Sequence, residues 1–419
     1  MNILANMVSI KKTILALAVA GMTAVVADGQ NFNSPYSMFG YGQLRENATA
    51  TQRQMGGVGY AMHSGRNVNV MNPASYAATD TLTFLFDMGI DFTSFEQKDA
   101  DGSHSDFGGG LDYITMQFPV AKGMGVSIGV VPYSSVGYAF GNEISNGQSS
   151  HQGTGGMNQL YAGFGIEPFK NFRVGFNVSY LFGNIYNDVY ATTSAGNQSL
   201  FEQVMEVQDF HFNFGLQYTL NLSRKNELTL GLVYSPGKTL LGTTYVQQYD
   251  TQSDAAPSTV DEHSLKGNYS LPDTYGAGLA YRWNRSLLVE ADFTYQPWSK
   301  AKFKGFDDFS GGKLDNRYRV GLGASFTPDE RAGYFKRMTY RVGGYYNRDY
   351  IMVNDNHVKD YGLSCGLGFP AFQSKTMINI GFDWVKRQAY PQALLTENYY
   401  NITLAVTFNE LWFFKNKIR

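Results

Sequence analysis

Apolar residues alternate with small or polar residues over most of the chain. From 172 to 182 every second residue is apolar, while Arg173, Gly175, Asn177 and Ser179 occupy the opposite face. The same period of two recurs at 210–220 and 400–408. Because successive side chains of a β-strand point to opposite faces, the pattern predicts strands with one apolar and one polar face.

Fourteen segments carry this pattern, an even number that is typical of outer-membrane barrels. The predicted strands are 80–94, 109–120, 123–140, 152–166, 171–190, 203–221, 227–246, 268–283, 286–298, 316–326, 335–348, 358–369, 375–387 and 398–410.

The connections between these segments alternate between long and short, as the outside loops and periplasmic turns of such barrels do. Long polar connections are predicted at 95–108, 191–202, 247–267, 299–315 and 388–397, and short ones at 121–122, 167–170 and 284–285. The sequence therefore predicts an all-β fold: a transmembrane antiparallel β-barrel of about 14 strands. It would lie in the outer membrane of a Gram-negative cell with both barrel termini periplasmic. A soluble β-sandwich and a multi-domain adhesin are the alternatives.

Composition agrees with a barrel and disfavours several other classes. The chain has 46 Gly, 29 Tyr and 30 Phe with only 16% charged residues, and glycine and aromatic residues are favoured in such strands. Its 33 basic and 35 acidic residues indicate no polyanion partner and hence no nucleic acid. The single cysteine, Cys365, cannot form an internal disulfide.

The N-terminal part predicts a signal peptide followed by a plug. Lys11 and Lys12 precede an apolar run at 13–26, so residues 1–27 are expected to be a signal peptide cleaved after Ala27. Residues 28–79 are too apolar for a disordered tail, and a 14-stranded barrel is too wide for its own side chains to fill. We expect residues 28–79 to form a hatch inside the barrel of residues 80–419.

No residue pattern indicates an enzyme, a metal site or a cofactor. The six histidines show no metal-ligand spacing. Asp209 and His211 share the polar face of one predicted strand, but no nucleophile accompanies them. The run 56–59 does not complete a dinucleotide-binding fingerprint.

The segment 34–80 carries short motifs that identify a resemblance. Asn72-Pro73-Ala74 predicts a rigid break before the first strand, because proline cannot donate a ladder hydrogen bond. Together with 34–37 and 56–59, it resembles the FadL family of outer-membrane transporters for long-chain fatty acids and other hydrophobic compounds. These motifs are similar to the corresponding motifs of divergent family members from the Bacteroidota.

The resemblance implies a mechanism and two sets of site residues. A hatch would block the lumen, and a hydrophobic ligand would enter from outside and leave sideways where the third strand is kinked. Asn72, Pro73 and Ala74 match the hatch motif. Pro132 and Tyr133 are the candidate lateral gate, because a proline inside a strand belongs at a bulge or an edge. A tolerated proline near the outer end of the strand is the alternative.

The sequence leaves two functions open. The first is a channel for hydrophobic, long-chain fatty acid-like molecules, with outer-membrane lipid and the ligand as partners. The second is a barrel that transports nothing and docks an envelope protein partner within a secretion or assembly machine of the outer membrane. The polar loop predicted at 247–267 and the charged residues on the lumen face fit a fatty acyl chain poorly, so they leave the ligand of the first function open, and the second function is the alternative.

Overall fold

Fourteen long antiparallel strands form a closed barrel. The structure, a computed structural model, describes residues 34–99, 102–144, 147–193, 198–250, 257–305, 312–371 and 375–411. The first strand pairs with the last, from Thr83 opposite Leu411 to Lys98 opposite Thr396. This confirms the predicted fold class and strand number. The expected signal peptide and residues 28–33 lie outside the described residues.

The barrel strands are labelled in chain order. They are β1 (Thr83–Lys98), β2 (Ser103–Ala121), β3 (Met124–Ile144), β4 (Gly147–Phe169), β5 (Phe172–Thr193), β6 (Gln198–Asn221), β7 (Asn226–Ser235), β8 (Thr274–Trp283), β9 (Leu287–Gln296), β10 (Arg317–Phe326), β11 (Thr339–Val353), β12 (Asn356–Pro370), β13 (Met377–Tyr390) and β14 (Thr396–Leu411).

The apolar face of each strand points outward and the polar face points into the barrel. Phe176 and Phe214 are exposed on the outside, whereas Arg173, Asn177 and Thr229 are buried inside. A water-soluble sandwich buries its apolar faces instead. The alternation in the sequence therefore corresponds to an arrangement opposite to that of a soluble protein: the polar residues lie in the interior and the apolar residues lie on the outside.

The two ends of the barrel differ. Thr83 and Leu411 meet at one end, which we call the turn end, where the connections 122–123 and 170–171 join neighbouring strands. At the opposite loop end the first connection is 99–102, because residues 95–98 and 103–108 extend β1 and β2. The predicted loop 95–108 is therefore mostly strand.

Prolines shorten the seventh and eighth predicted strands. β7 ends at Ser235, before Pro236, and β8 begins after Pro272, because proline cannot donate to a ladder. Between them, Gly242–Asp250 pairs with the loop-end half of β6 and with Ser258–Ser264. The remaining short elements are Lys238–Thr239, which pairs with Ser270–Leu271, the strand Gly312–Leu314, the 3-10 helix Trp298–Lys300 and a helix at Tyr334–Arg337 where strand was predicted.

The described N-terminal segment, residues 34–79, lies inside the barrel. It contains a 3-10 helix at Pro35–Met38, a short strand at Gln43–Leu44, helix α1 (Ala50–Arg53) and a second 3-10 helix at Pro73–Ala78. Its hydrogen bonds reach strands all round the wall, and such contacts are possible only from the interior. Among the described residues, no helix is long and apolar enough to cross a membrane.

Candidate functional site

Asn72, Pro73 and Ala74 begin a buried 3-10 helix that rests against the inner wall. Asn72 caps the helix, since its side-chain oxygen accepts a hydrogen bond from the Ala74 N–H at 3.0 Å. Its amide nitrogen donates to the Tyr60 carbonyl at 2.6 Å and to the Leu216 carbonyl of β6 at 3.3 Å. One side chain thus links the helix, the rest of the segment and the wall.

Inward-facing glycines make room for this helix. A β-carbon on Gly175 would lie 2.5 Å from the carbonyl carbon of Pro73, and one on Gly165 would lie 2.6 Å from its carbonyl oxygen. A β-carbon on Gly215 would lie 2.0 Å from the side-chain oxygen of Asn72. The segment therefore approaches three neighbouring strands more closely than any larger residue would permit.

The glycine run at 56–59 is packed against the opposite side of the barrel. Gly56 and Gly57 adopt φ values of 73° and 68°, which favour glycine. Arg319 of β10 donates to both carbonyls, at 2.7 Å and 3.1 Å. The glycine run therefore packs its backbone directly against β10.

The wall has a gap between β2 and β3. Their ladder runs from the turn end only as far as Ile114 opposite Val130, although both strands continue toward the loop end. Just beyond Val130, the register against β4 shifts between Pro132 and Ser134, which leaves Tyr133 as a bulge. The structure therefore places Pro132 and Tyr133 beside a discontinuity of the third strand, where the sequence analysis placed the candidate gate.

The N-terminal segment occupies the strand edge that β2 leaves open. Gln43 and Leu44 pair with Ser135 and Ser134 of β3, and the Arg45 N–H donates to the Tyr133 carbonyl at 2.9 Å. Nearer the loop end, the Ser34 N–H donates to the Gly137 carbonyl at 2.6 Å. The segment thus satisfies backbone groups that a continuous wall would have paired with β2.

Arg45 also holds the other edge of the gap. Its guanidinium donates to Asp112 of β2 at 3.1 Å and to Asp91 of β1 at 3.0 Å. Asp112 is the extra residue at a register shift between β1 and β2, and Arg53 donates to it at 2.7 Å. Arg45 and Asp112 were not among the site residues predicted from the sequence. The one sequence feature that could have indicated this site is Asp112 itself, because its charge follows the glycines 108–110 and interrupts the alternation of apolar and polar residues.

A cavity of about 410 Å³ adjoins the gap. Arg45, Asp112 and Pro132 contribute to its lining, together with Gly155 and Gly183. These glycines have φ values of 108° and 148°, and they flank a second interruption, between β4 and β5. Irregular backbone in three successive strands therefore surrounds the cavity.

Deeper in the barrel, Glu46 of the segment is held by two arginines of β10. Glu46 accepts a short hydrogen bond from Arg317, and Arg319 lies 3.6 Å away. Burial opposes ionisation of this carboxyl, yet the charges of Arg317 and Arg319 hold its pKa down at about 2. The segment is therefore anchored to β10 by an ionised carboxylate at neutral pH.

Buried apolar side chains fill the barrel on the loop-end side of the gap. Trp298 lies 4.5 Å from Tyr350 and 5.8 Å from Tyr41 between ring centroids. Burial, followed by the charge of Glu397, raises the pKa of Tyr36 to about 12, and its protonated hydroxyl donates to the Leu395 carbonyl at 2.7 Å. This loop-end cluster includes Tyr36, Tyr41, Val136, Met157, Trp298 and Tyr350.

The Asp209 and His211 pair is occupied by other contacts. Asp209 accepts hydrogen bonds from Lys238 at 2.6 Å and from the Leu241 N–H at 3.0 Å, while the His211 ring packs edge-on against Tyr133. Within the described ranges, no three His, Cys, Asp or Glu side chains are grouped as metal ligands would be.

Several solved structures share this fold at low sequence identity. The chain superposes on a FadL homologue of Pseudomonas aeruginosa with 11% identity and a TM-score of 0.63, over 87% of this chain and 99% of that one. The Pseudomonas putida toluene transporter TodX superposes with 14% identity and a TM-score of 0.62, over 88% of this chain and 100% of that one. The Ralstonia pickettii toluene transporter TbuX superposes with 13% identity and a TM-score of 0.57, over 88% of this chain and 99% of that one. These likenesses confirm the fold that the FadL resemblance implied.

Sequence comparison gives a more specific result. No curated protein sequence matches the chain at a significant level. A family model described as BamG matches residues 9–419, nearly the whole chain. The chain belongs to the BamG family.

Proposed function

We propose that this protein is an outer-membrane channel for hydrophobic small molecules, in which the ligand passes sideways through the gap between β2 and β3. The observation that carries the proposal is the end of the ladder at Ile114 and Val130, beside the bulged Tyr133. An apolar molecule that leaves through a side opening would enter lipid without crossing water.

The N-terminal segment is the hatch in this proposal. It covers the open edge of β3 through Gln43 and Leu44, and Arg45 joins that edge to Asp112. Displacement of residues 34–45 would uncover the edge and release the link between the two sides in one step. Hatch rearrangement and opening of the wall are therefore a single event.

The same displacement would create an apolar path from the loop end. Tyr36 and Tyr41 come from the segment, whereas Val136 and Met157 belong to the wall beside the gap. Withdrawal of the two tyrosines would leave a wall-lined apolar space that leads toward the cavity at Pro132. Arg45 adjoins that cavity, and its guanidinium suits the carboxylate of a long-chain fatty acid-like ligand.

The proposed orientation places the turn end and both barrel termini in the periplasm. Thr83 and Leu411 lie at the same end, and short turns at that end are typical of periplasmic turns. The outward apolar face would contact outer-membrane lipid.

A second function, docking of an envelope protein partner, is favoured by the filled lumen. Aromatic side chains pack the loop-end side of the gap, and ion pairs from Arg45 and Glu46 tie the segment to the wall. In this arrangement the barrel serves as a platform and the segment stays in place. The structures of toluene transporters are similar in fold only, so they do not exclude this function.

The experiment restores a continuous wall and measures transport. Deleting Tyr133 while replacing Pro132 by Val removes the bulge and supplies the missing N–H. Pro119→Val in β2, a strand proline near the turn end, is the matched control. We expect uptake of a fluorescent long-chain fatty acid into proteoliposomes to fall about tenfold or more in the first variant and to stay unchanged in the second.

The result separates the two functions. Uptake by the unaltered protein no faster than by empty liposomes would refute the channel. Stoichiometric co-purification of the unaltered protein with another envelope protein would then support docking.

A further inference from the structure

A cavity of about 360 Å³ at the turn end is surrounded by positive charge. Six cationic side chains line it, and Glu330 is the one acidic side chain among its lining residues. The cations are Arg66, Arg282, Arg285, Arg337, Arg341 and Lys375. The cavity lies on the opposite side of the segment from the wall gap, and nothing in the proposed transport path uses it.

Arginines elsewhere inside the barrel have acidic partners. Arg53 lies 2.7 Å from Asp112, Arg173 lies 3.1 Å from Glu167, and Arg387 lies 3.5 Å from Asp349. Around the turn-end cavity only Arg66 is paired, with Glu330 at 3.0 Å, and that pair is exposed. Over the described part of the chain, the other five cations form no ion pair within 4.0 Å.

The geometry of these arginines leaves donors unused. Arg282 donates to the His63 carbonyl at 2.7 Å, and Arg341 donates to Gln54 and Asn379, each at 2.8 Å. The Nε atoms of Arg282, Arg337 and Arg341 are nevertheless buried and have no hydrogen-bond partner among the described residues. A buried donor without a partner costs free energy, and no acidic side chain among the described residues lies within 4.0 Å of these three arginines to offset that cost.

Ordinary interfacial anchoring does not account for Arg341, the most buried cation of this cluster. Basic side chains at a membrane interface extend their charges into water, whereas Arg341 is only 5% exposed and points into the barrel. Burial, followed by the charges of Arg173 and Arg282, holds the pKa of His63 well below its usual value, so the neighbouring imidazole is neutral and adds no positive charge to the cavity.

We propose that this turn-end cavity is a binding site for a phosphate group. Guanidinium forks match the oxygens of phosphate bidentately, and the cavity is far larger than the space of one water molecule. Two aromatic side chains are exposed near these arginines: Trp283 follows Arg282 directly, and Phe335 lies two positions before Arg337. Aromatic and basic residues together are typical of a lipid interface, so the phosphate can belong to a lipid headgroup or be free. The site does not rest on the proposed channel function.

The test compares two probes on the full mature chain, stripped of lipid in a neutral detergent. Inorganic phosphate is titrated by calorimetry, and phosphatidylglycerol retention is counted by native mass spectrometry. The site variant is Arg285→Gln with Arg337→Gln. The matched control is Arg224→Gln with Lys225→Gln, which removes two charges from another turn at the same end without touching the cavity.

We expect binding to weaken about tenfold or more in the site variant and to stay unchanged in the control. Binding of both probes would show that phosphate alone suffices, and binding of the lipid alone would assign the phosphate to a headgroup. Absence of binding for both probes, or equal binding by the site variant, would overturn the proposal. Should the site variant fail to fold, phenylglyoxal modification of Arg337 in the unaltered protein decides. Inorganic phosphate or phosphatidylglycerol must protect Arg337, and unchanged modification with both probes would refute the site.

Discussion

Asp112 of β2 and Tyr133 of β3 are the bulged residues on the two edges of the wall gap, and Arg45 binds both of them. The strands separate beyond Ile114 and Val130. A residue of the N-terminal segment thus replaces the ladder that would otherwise join them.

The first prediction concerns this bridge. Arg45→Ala leaves Asp112 with Arg53 alone and leaves Asp91 at 4.0 Å from its nearest remaining cation. Removal of one partner of a fully buried ion pair costs about 3 kcal/mol or more, and the cost here is smaller because the Arg45 side chain is 26% exposed. We expect the segment to loosen and ion conductance in planar bilayers to rise.

Arg66→Ala is the control for Arg45→Ala. Arg66 belongs to the same segment, but its pair with Glu330 is more than half exposed, and exposed pairs contribute about 1 kcal/mol or less. Equal conductance of the two variants would contradict a bridging role for Arg45.

The second prediction concerns Asn72. Asn72→Ala removes the cap of the Pro73–Ala78 helix and the hydrogen bonds to Tyr60 and Leu216. Loss of such a cap costs about 1 kcal/mol, while the Tyr60 carbonyl keeps its hydrogen bond from Gln217 at 3.0 Å. We expect faster leakage of small solutes from proteoliposomes. Unchanged leakage would reduce Asn72-Pro73-Ala74 to a structural turn.

The third prediction tests the close approach of the helix to the wall. Gly175→Ala would place a methyl group 2.5 Å from Pro73 backbone atoms, and overpacking of this kind costs about 1–3 kcal/mol. We expect a lower urea midpoint of unfolding. Gly110→Ala is the matched control, because a β-carbon on that strand glycine meets nothing within 4 Å. If the urea midpoint fell by the same amount in both variants, the contact with Pro73 would not be the cause of the destabilisation.

The fourth prediction is a dependence on pH. The pKa of Glu46 is about 2 in the folded protein, below the ordinary value of 4.5. The stabilisation from ionised Glu46 is therefore complete above about pH 4.5 and is lost as the pH falls through about 2. We expect Glu46→Gln to unfold at lower urea concentration than the unaltered protein at pH 6, and the difference to shrink toward pH 2. Glu330→Gln, at the exposed pair, should show no such trend. A constant difference across the range would exclude the titration of Glu46 as its cause.

Local patterns in the sequence predict the barrel well. The alternation that places Phe176 outside and Asn177 inside depends only on the period of a strand, and Pro132 indicates a break because proline lacks an N–H. The same rule, applied to Pro236 and Pro272, would have ended β7 and begun β8 correctly. Those two boundaries were missed because the apolar pattern continues past the prolines.

The contacts of the segment could not be predicted in this way. Gly56 and Ser364, which form a hydrogen bond, lie 308 positions apart, and no local pattern indicates which strand faces which residue of the segment. Arg45 and Asp112 were missed for the same reason. Arg45 stands in a polar stretch and Asp112 follows a glycine run, and neither local pattern predicts that the two side chains are in contact.

The direct attachment of the segment to β1 has a consequence for biogenesis. β1 is the strand that closes the cylinder against β14, the last strand to be synthesised, and the segment precedes β1 in the chain. Residues such as Glu46 and Gly56 emerge first yet find their partners in β10 and β12, so these contacts form late and slow the acquisition of the native state. Because the segment is tethered at the closing seam, it must already lie between the two edges, or enter from the turn end, when the cylinder shuts. The attachment to β1 therefore limits the routes by which the segment can reach the barrel interior.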